Sequence, residues 1–262
     1  MLKVVRSALA DIGRGLRMRN VWMALAREDI GDQHKRTTLG PVWLLVNYLA
    51  YAGTFVVIFG HNPAIPNFPA FVAVGLFVWL YLSEVITQGV SLFTREQSFI
   101  SGTTLPVTVY VMRMTMQSVI RAAYALAGCL AIVLIEGTPV TSFWLWSALG
   151  LVLIVFATPA VITLCAIGGA FFPDVNFLVQ NLMRLGLFVT PIFWTRLSEG
   201  GMRALIYHWN PFTYFLEIVR IPVIDGRVPF HALGICATIT FFLWATAVLL
   251  LGRLRKQIVF VL

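Results

Sequence analysis

Long apolar runs separated by short polar breaks occupy the chain from residue 42 onward. A membrane-crossing helix takes about 20 apolar residues, because the hydrocarbon core is roughly 30 Å thick and each residue rises about 1.5 Å. Six runs meet that length, at about 42–60, 69–92, 107–135, 142–168, 175–194 and 230–251. They predict an all-α polytopic membrane protein with six transmembrane helices over residues 42–262, preceded by an amphipathic segment over residues 1–41. Within that segment Val5, Leu9, Ile12 and Leu16 recur at three- and four-residue spacing, with Arg6, Arg14 and Arg17 mostly on other faces. This pattern predicts a helix lying on a membrane surface, although Gly13 and Gly15 weaken it. A second amphipathic piece over residues 21–30 places Trp22 at interfacial depth. At Leu39-Gly40-Pro41 the chain enters the membrane: glycine permits a sharp turn, and proline, lacking an N–H, suits the first turn of a helix.

The connections differ in kind. Residues 94–105 form a polar segment containing Arg95 and Glu96, long enough for a short helix and ended by Pro106. Residues 195–229, between the fifth and sixth runs, are too apolar for a plain solvated loop. There Phe212, Phe215, Leu216 and Val219 share a helical face, with Glu217 and Arg220 off it. The stretch is too short to span, which predicts a re-entrant external pair of short helices hinged at Asn210-Pro211 and buried against protein. An external cap with only packing duties is the other reading.

Composition supports the membrane assignment: 59% of the residues are hydrophobic and 11% charged, which excludes an ordinary water-soluble domain. The first 20 residues carry scattered basic side chains and no continuous apolar core, so no cleavable signal peptide is expected. Six spans put both termini on one side. With the termini inside, thirteen Lys and Arg fall on the inner side and four on the outer, so both termini are expected in the cytoplasm. The net charge of +8 then belongs to cytoplasmic loops and gives no reason to expect nucleic acid. Cys129, Cys165 and Cys236 lie inside apolar runs without metal-ligand spacing, and reduced, packed thiols are expected.

No catalytic constellation is visible. His34, His61, His208 and His231 are far apart, no His-Glu-x-x-His occurs, and no glycine-rich loop ending in Gly-Lys-Ser/Thr is present to hold nucleotide phosphates. No catalytic residue, metal or cofactor is therefore expected in this chain, and any ATP used must be bound by another chain. The adjacent Glu28 and Asp29 read as a solvated face. Polar and aromatic positions inside the membrane remain. In the first run Tyr48, Tyr51, Phe55 and Phe59 step by three, four and four and share one face. Packing against lipid or neighbouring helices explains such a stripe, and so does a conduit on which sugar rings slide. In the fifth run Phe177, Asn181, Arg184 and Phe188 fall on one face, with Gln180 beside it. An arginine at the centre of a bilayer costs about 2.5 kcal/mol or more unless it meets water, a counter-charge or an anionic substrate. Glu84 shares a polar side with Gln88 and Ser91, and Arg113 and Arg121 lie in the inner half of the third run. A Glu84–Arg113 pair is expected, with Arg121 lacking an evident partner.

In order along the chain, Arg36-Thr37-Thr38-Leu39-Gly40-Pro41-Val42-Trp43, Phe71-Val72-Ala73-Val74-Gly75-Leu76, Leu105-Pro106 with Val109-Tyr110, Phe188-Val189-Thr190-Pro191-Ile192-Phe193-Trp194, Asn210-Pro211-Phe212 and Phe215-Leu216-Glu217-Ile218-Val219-Arg220 carry a resemblance. The tail Gly252-Arg253-Leu254-Arg255-Lys256 extends it. The chain resembles the membrane permease subunits of type-2 ABC exporters that move lipid-linked O-antigen and related polysaccharides. The resemblance implies a bacterial inner-membrane permease with residues 42–262 as its transmembrane domain. It implies a homodimer joined to two copies of a separate ABC ATPase, which would hold ATP and Mg, and an undecaprenyl-diphosphate-linked polysaccharide as cargo. It implies an interface helix over residues 3–19 and a coupling segment over residues 95–104 that docks on the ATPase, including Arg95, Glu96, Gln97 and Ser98. It implies external gate helices including Asn210, Pro211, Phe212, Phe215, Glu217 and Arg220. It also implies a conduit lined partly by the first and fifth helices, which turns Tyr48, Tyr51, Phe55, Phe59, Phe177, Asn181, Arg184 and Phe188 into candidate lining. Arg14 and Arg36 are the candidates for receiving the lipid head group at the cytoplasmic entrance. The alternative is the same exporter class with another cargo: capsule or teichoic-acid-like glycan, or a small lipid or drug. A membrane glycosyl- or acyltransferase would need a catalytic constellation that the chain does not display.

Overall fold

The computed structural model describes residues 2–35, 37–59, 65, 67–195 and 201–261. Among these residues the chain is helical, without strands. In order the helices are α1 (Leu2–Arg17), α2 (Arg19–His34), α3 (Trp43–Phe59), α4 (Phe68–Val90), α5 (Leu92–Arg95), α6 (Gln97–Gly102), α7 (Val107–Ile135), α8 (Trp144–Phe171), α9 (Asp174–Val189), α10 (Met202–Trp209), α11 (Pro211–Ile224) and α12 (Phe230–Val261). A 3-10 turn, Gly40–Val42, leads into α3, with Gly40 at φ +54° and Pro41 beginning the turn. Proline marks other starts too: Pro69 lies in the first turn of α4, Pro106 and Pro173 directly precede α7 and α9, and Pro211 opens α11. Each removes an N–H where a helix start has none to use.

Five helices are long and apolar enough to cross a membrane, namely Gly40–Ile58, Phe68–Val90, Val107–Ile135, Trp144–Phe171 and Phe230–Arg255. The fifth apolar run differs from the expected 175–194. Helix α9 stops at Val189 after 16 residues, about 24 Å, because Thr190 takes an extended conformation ahead of Pro191. Residues 191–194 stay apolar, which is why hydropathy alone carries the run past the real end of the helix.

Helix α4 is the central column, packed against α3, α7, α8, α9 and α11. Its Leu76 and Trp79 are among the largest fully buried side chains. Helix α1 packs on α7 and α12. Its buried face is Ala8, Asp11 and Gly15, while Leu9 and Leu16 of the predicted apolar stripe remain about half exposed. The helix therefore has two faces in use, and the sequence pattern marks only the apolar one. Asp11 explains the other: its carboxylate accepts from Thr108 N (3.2 Å) and Thr108 Oγ1 (2.8 Å), and Arg255 Nη1 lies 3.5 Å away. Cys129 and Cys236 are buried and Cys165 half-buried, all as free thiols.

Candidate functional site: an open polar groove beside α9

Helix α9 meets α4 closely because Gly186 has no side chain: a Cβ there would come within 2.5 Å of the Trp79 indole. Met183 and Leu187 complete that contact from the half-buried side. The opposite face stays open. Phe177 and Phe188 are 71% and 62% exposed, and Asn181 and Arg184 are exposed between them. Arg184 makes no hydrogen bond or ion pair with any described residue. Together with Tyr51 of α3 and Ser83, Thr87 and Gln88 of α4, Gln180 and Arg184 line a groove of about 420 Å³. A guanidinium whose donors meet no acceptor among the described residues, beside hydroxyl and amide groups, suits hydrated, hydrogen-bonding or anionic material.

The aromatic stripe of the first run divides. Tyr48 is 3% exposed and its hydroxyl donates to the Ala73 carbonyl at 2.7 Å, so it belongs to the core against α4 and not to an open lining. The reason is the helix's position: residues stepping by three and four drift around it, and the inner end of the stripe rolls onto α4 and α7. Tyr51 opens onto the groove, 54% exposed. Phe55 stacks on Phe193, ring centroids 4.3 Å apart. The side chain of Phe59 lies outside the described residues.

At one end of the helical body the break after α9 is tied to the α10–α11 pair. Asn210 ends α10 and its Oδ1 accepts from Phe212 N at 3.0 Å, while its Nδ2 donates to Thr190 Oγ1 at 3.0 Å. Arg220 was expected off the apolar face, yet it is 4% exposed. Its Nη1 donates to the Pro191 carbonyl at 2.7 Å and its guanidinium lies 3.8 Å from the centre of the Phe71 ring. Phe215, Leu216 and Val219 are buried with it, Phe212 is half-buried with its ring edge against Trp79, and Pro211 is exposed. Tyr207 donates to Glu217 between the two short helices.

At the other end the expected Glu84–Arg113 pair is not formed. Glu84 binds Arg121 (Nε to Oε1, 2.5 Å), and Arg113 instead reaches Asp29 and Glu96. Asp29 is correspondingly not a solvated residue: it accepts both Nε (2.6 Å) and Nη2 (2.7 Å) of Arg113, and the amide of Gln117 also donates to it. Sequence alone could only mark Asp29 as an acid on an amphipathic helix. Its partner lies 84 positions away, on a helix whose register against α2 the pattern does not encode. The 94–105 segment forms two short helices, α5 and α6, with Arg95, Gln97 and Ser98 exposed and Glu96 half-buried. Arg95 Nη1 donates to Gln88 Oε1 at 2.9 Å. Arg14 is exposed and donates within its own helix to the Ala10 carbonyl at 3.3 Å, and Arg36 lies outside the described residues.

Apolar helices of spanning length mark a multi-pass membrane protein, and beside them lie a polar groove and an arginine without a partner among the described residues. Residues 19–224 match the ABC-2 type transporter family, and the chain belongs to that family. It is similar to the O-antigen export system permease protein RfbA of Myxococcus xanthus, 23% identical over 238 residues, covering 87% of this chain and 90% of that protein. Two proteins of the same description from Klebsiella pneumoniae are each 21% identical, over 241 and 219 residues, covering 90% and 81% of this chain.

Proposed function

We propose that the chain is the permease subunit of an ATP-driven exporter that moves lipid-linked polysaccharide, of the O-antigen type, outward across the bacterial inner membrane. Two lines support this reading: membership of the ABC-2 type transporter family with O-antigen export permeases as relatives, and the open groove. On this reading α9 and the segment after it make the sixth crossing, both termini are cytoplasmic, and α10–α11 form a re-entrant external gate. Two copies assemble with two ATPase subunits, which bind the ATP. The open faces of α9 and α3 border the conduit, with Tyr51, Phe55, Phe177, Asn181, Arg184 and Phe188 as lining. The exposed α6 surface around Gln97 and Ser98 docks on the ATPase, and Arg14 and Arg36 meet the diphosphate at the cytoplasmic entrance.

The observation that carries the proposal is Arg184, exposed on a helix bordering a polar groove and without a partner among the described residues. Bilayer lipid is a costly neighbour for such a group, whereas a hydrated, hydroxyl-rich or anionic cargo is not. The test is mass spectrometry of the purified complex: an ABC ATPase and a diphosphate-linked saccharide are expected to copurify. An ATPase that responds to hydrophobic drugs and ignores lipid-linked glycan would contradict it.

A further inference from the structure

At the inner boundary of the helical body, four elements converge on one guanidinium. Arg113 of α7 holds Asp29 of α2 through two parallel bonds, 2.6 and 2.7 Å, and holds Glu96, the residue between α5 and α6, through its remaining terminal nitrogen at 3.1 Å. Its side chain is 17% exposed, Asp29's 22% and Glu96's 12%. Gln117, one turn along α7, donates to the same Asp29. Arg95 extends the set to α4 by donating to Gln88. Arginine alone supplies a planar fork that satisfies two carboxylates from different helices at once. With both carboxylates spoken for, Arg113 is not an anion-receiving group, and the arrangement has the form of a joint.

We propose that Arg113 is the positioning residue that makes the α5–α6 segment, α2 and α7 move as one body, so that displacement of α6 by the ATPase reaches the spanning helices. The inference rests on α6 being the ATPase docking segment, as in the proposed function. Asp29 and Glu96 are in series: breaking either bond interrupts the ionic link from α2 to α6 through Arg113, and breaking the second adds nothing. A framework role alone predicts instead that the variants lose stability or assembly, with export per ATP unchanged in the complexes that do assemble.

The experiment measures ATP hydrolysis by the purified permease–ATPase complex and polysaccharide reaching the surface of cells carrying each variant. Arg113→Ala is expected to retain the ATPase and its hydrolysis while export per ATP falls about tenfold, a typical size for coupling between sites. Arg113→Ala leaves Asp29 without its cation and Glu96 with only Arg95, 3.6 Å away, and risks misfolding, so the triple variant Asp29→Asn, Glu96→Gln, Arg113→Gln, which removes all three charges together and leaves only the exposed Arg95 without a carboxylate, serves as the second probe. It should assemble and show the same fall. Asp29→Asn and Glu96→Gln are each expected to lower the ratio, and together to lower it no further than either alone. Unchanged export per ATP in the assembled triple variant, or additive losses in the pair, overturns the proposal. Phe99→Asp, on the exposed side of α6, separates the two ideas: if the ATPase still copurifies with it, the docking assignment is wrong, whatever the Arg113 variants do.

Discussion

Helix α4 buries fifteen of its 23 residues, whereas its neighbour α9 buries none of its 16. Both come from apolar stretches, both begin with proline at or beside the first turn, and they touch through Trp79 and Gly186. The difference lies in what their other faces meet. Helix α4 is enclosed on most of its length by five helices of its own chain, so its side chains are chosen for fit. Helix α9 is held on one side only, and its free side sets the Asn181 amide and the Arg184 guanidinium among exposed apolar residues, Phe177, Leu178, Leu182, Leu185 and Phe188. A membrane helix that carries an arginine on its open face needs a surface for that group which lipid does not supply. In the proposed assembly that surface is the cargo path and the second copy.

This contrast can be broken in several places, and the largest effect is expected at the shared contact. Trp79→Ala removes a fully buried indole against which α9 and Phe212 rest, at a cost of about 3–5 kcal/mol, read as a fall in the thermal unfolding midpoint of the detergent-solubilised protein. Gly186→Val should act from the other side, since even a Cβ collides with the same ring. Arg220→Ala comes next, at about 2 kcal/mol, for it loses the charged bond to the Pro191 carbonyl and the contact with Phe71. Limited proteolysis should then cut more readily around the α9 break. The smallest stability effect belongs to Phe177→Ala on the open face, within about 0.5 kcal/mol in the single subunit. A large loss of stability there would mean that α9 is packed on both sides.

The helices are legible in the sequence because apolar runs and proline punctuation are local. The five spanning-length helices fall close to their predicted positions, and Asn210-Pro211 is the predicted break between two short helices. What escaped is non-local. The end of α9 was overrun because Ile192, Phe193 and Trp194 continue the hydropathy of the helix after Pro191 has ended its geometry. Tyr48 and Tyr51 look equivalent at a spacing of three, yet the position of α3 against α4 sends one inward and leaves the other open. The ionic partners were exchanged for the same reason: Arg113 and Arg121 lie about two turns apart on α7, and only the relative placement of α4, α7 and α2 decides that Arg121 takes Glu84 and Arg113 takes Asp29. On α9, by contrast, the spacing set Phe177, Asn181, Arg184 and Phe188 on one face because helical periodicity is local, while only the packing of α9 on α4 shows that this face stays open.

The most direct test of the account is surface polysaccharide in cells carrying Arg184→Ala or Arg184→Lys, with assembly of the permease and its ATPase checked in the same membranes. The account predicts assembled complexes in both, a severe loss of export for alanine and partial retention for lysine, which keeps the charge without the fork. Normal export by the assembled Arg184→Ala complex would contradict a path along the open face of α9.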